Sequence, residues 1–126
     1  MLEPGGALIA SVDNRAGALG WLKETEDLGT VQRLLQAGEV VIPRRNGGRL
    51  YPVHAFTAGE LRDLWLWAGL SVERMIGKTV IAQRLACFRS EDPEVQRKLL
   101  ELELEYNADP AFMPWGGRLE IAGRKQ

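Results

Sequence analysis

Residues 2–15 read LEPGGALIASVDNR, and the fold turns on how this stretch is read. The Pro4-Gly5-Gly6 turn runs directly into the apolar residues Ala7 to Val12, which end at Asp13-Asn14. A short apolar run closed at both ends by turn residues predicts a buried strand. The strand begins within a few residues of Met1, so we expect it to lack the partner that an earlier element would supply.

Outward from it, residues 16–29 are rich in glycine, and Val31, Leu34 and Leu35 then recur at helical spacing before Gly38. This predicts a short amphipathic helix over Thr30 to Ala37. The segment PRRNGGRLYP (43–52) reads as a hairpin or turn, because Asn46-Gly47-Gly48 tolerates positive φ and prolines bracket it. In FTAGELRDLWLWAGL (56–70), Thr57 and Glu60 have capping-box spacing, and Leu61, Leu64, Trp65 and Ala68 form one apolar face. Gly69 supplies a left-handed stop, which predicts a helix over Ala58 to Ala68. Leu70 to Met75 and, less distinctly, Thr79 to Leu85 have strand composition. Asp92-Pro93 opens a helix lined by Val95, Leu99, Leu102 and Tyr106, and RLEIAGRK (118–125) closes the chain as a strand.

The whole is 126 residues with a formal net charge of −1, the size of one domain and without a field that draws nucleic acid or an anionic membrane. Cys87 is the only cysteine and His54 the only histidine, so neither an internal disulfide nor a thiolate metal cage can form. Cys87 reads as a small buried hydrophobe. The lone thiol and the lack of a long apolar run suit a soluble protein of the reducing cytoplasm. Glu101, Glu103 and Glu105 read as a solvated helix face, with Glu94 placed four residues before Lys98. Trp65 and Trp67 are two residues apart and cannot share a helix face, so one points outward, under a loop or towards a partner.

In their order, LEPGGALIASVDNR, FTAGELRDLWLWAGLSVERMIG (56–77), a helix rich in leucine and glutamate, and GGRLEIAGRK (116–125) resemble the C-terminal half of a class I S-adenosylmethionine-dependent methyltransferase of the type 11-like group. The resemblance covers nearly the whole chain. It implies an α/β fold comprising the second half of a Rossmann-like sheet, with strands like the family's fifth, sixth and seventh and their flanking helices. The sixth and seventh would close the sheet as an antiparallel pair. It also implies a single partial domain, 1–126, without the half that normally holds S-adenosylmethionine. That half carries a glycine-rich turn after the first strand and an acidic residue after the second. Gly17 to Gly20 (GALG) lacks the G-x-G core and is no substitute.

The family's acceptor side is formed by the loop after strand five and the segment before the next helix. Here those stretches supply Asp13, Asn14, Arg15, Arg49, Tyr51 and His54. Asn14 has donors and an acceptor for a polar group, Tyr51 a ring to stack, and Arg15 or Arg49 a fork for a carboxylate. His54 changes charge near neutral pH and is the candidate general base. Each has a plainer reading: a strand-ending turn for Asp13-Asn14, a solvated surface for the arginines, a structural role for His54. The open strand Ala7 to Val12 would pair with the missing N-terminal half or with a second copy. Two functions follow as expectations: a methyltransferase segment supplying the acceptor side, inactive alone, or a non-enzymatic dimerisation or partner-binding module descended from one.

Overall fold

The computed structural model describes residues 2–43 and 50–126, and the chain is a mixed α/β protein. Its strands are β1 (Ala7–Asp13), β2 (Glu39–Pro43), β3 (Leu50–His54), β4 (Arg74–Lys78) and β5 (Arg118–Arg124). Its helices are α1 (Arg15–Ala18), α2 (Leu28–Ala37), α3 (Ala58–Trp67) and α4 (Pro93–Tyr106), with short 3-10 turns between them. Three strands form one sheet in the order β1-β5-β4, and β2 and β3 form a separate antiparallel pair. The centre of the larger sheet is the last strand, antiparallel to both neighbours, which leaves β1 and β4 parallel to one another.

The register explains the core. Leu8, Ala10 and Val12 lie opposite Gly123, Ile121 and Leu119, and Met75 and Gly77 flank the last two from the other side. Period-two alternation puts all of these on one face. Leu61 and Trp65 of α3 pack there against Leu119 and Ile121, which are fully buried. Full burial of one such side chain contributes roughly 1.5–3 kcal/mol. A second cluster, Ala18, Leu34, Val40 and Ala55, joins α1 and α2 to the β2–β3 pair.

Local signals account for the helix ends. Thr57 Oγ1 accepts from Glu60 N–H (3.1 Å) and the Glu60 carboxylate accepts from Thr57 N–H (3.3 Å), a complete capping box. Asp92 caps α4 with Pro93 following it, and Gly38 and Gly69 end α2 and α3 at φ +73° and +81°. Helix α2 starts at Leu28, before Thr30, because Asp27 caps it by accepting from Gly29 N–H. Of the paired tryptophans, Trp65 is buried and Trp67 is 85% exposed. Strands flank the segment read as a hairpin and pair antiparallel; the Asn46-Gly47-Gly48 turn itself lies outside the described residues.

Thr79 to Leu85 is not a strand, and the strand before it is shifted. β4 runs from Arg74 to Lys78, leaving Leu70 as an isolated bridge to Lys125. Thr79 then adopts φ +55°, alone among the described non-glycine residues, and turns the chain out of the sheet. The Glu103 carboxylate accepts from the N–H groups of Val80 (2.9 Å), Ile81 (2.7 Å) and Ala82 (2.7 Å), consecutive donors that a β-ladder would need. Glu103 is therefore a structural anchor and not part of a solvated face, while Glu94 and Glu101 both pair with Arg97 instead of Lys98. The 3-10 turns beyond it lie on the surface, which leaves Cys87 exposed and not buried. Glu103→Ala strands three amides beside the fully buried Val80 and is expected to cost about 2 kcal/mol. Hydrogen exchange at Val80, Ile81 and Ala82 should quicken selectively; unchanged protection there would show that the carboxylate does not hold the loop.

Among the described residues no helix is long and apolar enough to cross a membrane.

Candidate functional site

The parallel strands β1 and β4 end side by side with β5 between them, and the residues at their carboxyl ends are Asp13 and Lys78. In open α/β sheets ligands collect at strand carboxyl ends. Two clefts open there. One, of about 500 Å³, is lined by Asp13, Lys78, Thr79 and Arg118. Its charges are already matched, because Arg118 pairs with Asp13 at 2.9 Å and Lys78 with Glu120 at 2.6 Å.

The other is an open cleft of about 1170 Å³ that adjoins the first along Gly17, Gly20 and Gln83. Helix α1 and the turn after it contribute Gly17, Gly20 and Lys23; the turns after β4 contribute Arg84, Phe88 and Arg89; Trp115 comes from the turn before β5. The three ionisable residues of its lining, Lys23, Arg84 and Arg89, are all cations. Arg84 lies over the Trp115 ring, 5.2 Å from its centroid, and donates to the Trp115 carbonyl (3.3 Å).

Asn14 and Arg15 stand at the head of α1, where β1 ends, and both are buried. The Asn14 amide nitrogen donates to the carbonyls of Pro114 (2.7 Å) and Gly116 (2.6 Å), fixing the turn that carries Trp115. Its donors are engaged inside the protein, so Asn14 shapes the larger cleft from beneath. Arg15 Nη2 donates to the Glu60 carboxylate at 2.6 Å, and its Nε donates to the Ala55 carbonyl. The guanidinium is not a solvated surface group; its carboxylate partner is Glu60. The Asp13 carbonyl accepts from Phe56 N–H, which docks the segment after β3 against the end of β1.

His54 stands half-exposed at the end of β3, with its ring edge-on to Phe56 and its Nε2 3.6 Å from the Glu60 carboxylate. That separation is too long for a hydrogen bond and suits an ion pair when the imidazole is protonated. Burial works to raise the Glu60 pKa, but the Arg15 hydrogen bond, the Thr57 N–H and the charges of Arg15 and His54 together bring it below the ordinary carboxylate range. The fold thus gathers Arg15, His54 and Glu60 into one cluster. Tyr51 lies three residues from His54 along β3, so it projects from the opposite face of the strand. Arg49 lies outside the described residues.

Glu60 was legible only as a capping residue, although its carboxylate serves cap and ion pair at once. The basic cleft was not legible at all: Lys23 is about sixty residues from Arg84 and Arg89 in sequence, and the near-neutral total charge conceals their convergence. Gly17 has a packing role as well. A Cβ on Gly17 would lie 2.6 Å from the Gly116 carbonyl oxygen, so glycine lets α1 approach that turn closely. No protein-family model matches the sequence, and no curated protein matches it.

Proposed function

We propose that the chain supplies the acceptor side of a class I S-adenosylmethionine-dependent methyltransferase and works with a second segment that holds the cofactor. The observation that carries this reading is the strand order β1-β5-β4, with a final strand antiparallel to two parallel neighbours. It is the order that strands five, seven and six take at the end of a Rossmann-like methyltransferase sheet. The clefts at the carboxyl ends of β1 and β4 support it, since an acceptor would approach there. The cofactor itself does not fit the described residues. Its glycine-rich turn has no counterpart in the sequence, since Gly17 to Gly20 lacks the G-x-G core. The part assigned to this chain is to position the acceptor against a methyl group presented from the other segment.

The outer edge of β1 is where such a segment would join, because β5 is the only strand flanking β1 among the described residues and Ile9 is 66% exposed. The same edge serves the second reading, a partner-binding or dimerising module, which the exposed Trp67 also favours. Calorimetric titration of S-adenosylmethionine, with the oligomeric state recorded in the same buffer, separates them. The chain alone is expected to give no saturable heat. Co-expression with the segment encoded immediately upstream of Met1 should restore saturable binding if that segment contains a strand followed by G-x-G. Saturable binding to the chain alone would overturn the divided site. A folded, co-purifying pair that binds no cofactor would leave the module.

A further inference from the structure

We propose that the larger cleft is a binding site for a small molecule with an anionic group, carboxylate or phosphate, on a planar apolar body. Lys23, Arg84 and Arg89 line one concave space in which no acidic residue is present, and among the described residues none of the three forms a salt bridge, although Asp13, Glu60, Glu73, Glu94, Glu101 and Glu120 all do. Like charges held together without a counter-charge repel one another, and an anion entering the cleft relieves that repulsion. Arg84 is held in place by Trp115, so one of the cations is pre-positioned; a guanidinium carries five N–H donors, which leaves it able to bind oxygen as well. Phe88 and Trp115, 43% and 48% exposed, offer ring surface to the apolar part of the ligand. Concavity favours a small molecule over a flat macromolecular contact.

This inference deepens the acceptor-side reading, on which it rests only for the ligand's role: if that reading holds, the ligand is the methyl acceptor and the acceptor is an anion. Binding itself requires neither cofactor nor a second segment, so the two can fail separately.

The test is a titration of the chain with phenyl phosphate, benzoate and neutral benzyl alcohol, followed by the Trp115 indole N–H resonance. At least one anion is expected to saturate the site and benzyl alcohol to leave it unperturbed; the stronger of the two anions tells phosphate from carboxylate. High salt should weaken the interaction. Combined Arg84→Ala and Arg89→Ala should weaken the anion at least tenfold, roughly the effect of removing one charge-assisted hydrogen bond. Gly20→Leu provides a second variant, since Gly20 has open space where a Cβ would stand; it should block the cleft while leaving the unfolding transition in place. Equal response to benzyl alcohol, undiminished binding in either variant, or no response to either anion overturns the proposal.

Discussion

Gly123→Ala is expected to destabilise the chain by about 3 kcal/mol, at the upper end of what overpacking costs, and to do so through backbone. Gly123 lies on β5, on the face that meets α3 and the strand-like segment after it. A Cβ at this position would collide with the carbonyl oxygen of Ser71 and stand 2.7 Å from the Trp65 indole nitrogen. Those two atoms are themselves hydrogen-bonded at 2.8 Å, and Ser71 N–H donates to the Arg124 carbonyl. Neither can retreat without breaking a bond that joins α3 to the central strand. The alanine therefore displaces the 70–73 segment or tilts the Trp65 ring out of the core. Gly20→Ala is the control. Nothing lies within 4 Å of its Cβ position, and a glycine replaced where the backbone allows alanine changes stability by only about 0.4–1 kcal/mol, in the favourable direction. Urea unfolding of the two variants and the parent, with equal slopes, measures the difference. A midpoint for Gly123→Ala equal to that of the parent would mean that the helix and sheet are not in this contact.

What the sequence made legible follows from the range over which each signal acts. Strand β1, helix α3 with its capping box, helix α4 with Asp92-Pro93, and strand β5 are each marked by residues within one or two turns of one another, although β1, expected to be buried, is an edge strand with no buried residue. The Thr79–Leu85 segment looked like a strand because its composition is β-branched and apolar. It was decided instead by Glu103, more than twenty residues away, which takes the amides of Val80, Ile81 and Ala82. Composition carries no trace of such a long-range acceptor. The site divides in the same way. Turn residues mark the end of β1 in the sequence, but whether a polar residue there faces solvent depends on contacts made far along the chain: Asn14 on Pro114 and Gly116, Arg15 on Glu60. The basic cleft is the extreme case, since three cations on separate turns become one feature only when β4 and β5 bring those turns together.

Glu60→Ala is expected to cost about 3 kcal/mol, the lower end of the range for breaking a buried ion pair, because Glu60 itself is 41% exposed and only Arg15, at 9%, is truly enclosed. The loss comes chiefly from the arginine. With its carboxylate gone, a cation is left beside Ala55 and Gly38 with one carbonyl for company. The helix also loses half of its capping box. Glu60→Gln separates the two effects: glutamine still serves at the third helical position of a capping box, so its cost, about 2 kcal/mol, is that of weakening the charged hydrogen bonds to Arg15. The pH dependence gives an independent reading. Because the folded pKa of Glu60 lies below its unfolded value, its contribution is fully present above the ordinary carboxylate range and is lost as pH falls through the depressed folded value. The parent's unfolding midpoint in urea should therefore fall on acidification through that window, and the Glu60→Gln midpoint should fall less over the same interval. Parallel pH profiles would falsify the pairing as a source of stability, whereas a shallower profile in the glutamine variant ties the stability of the α3 start, and with it the placement of His54, to the Arg15–Glu60 pair.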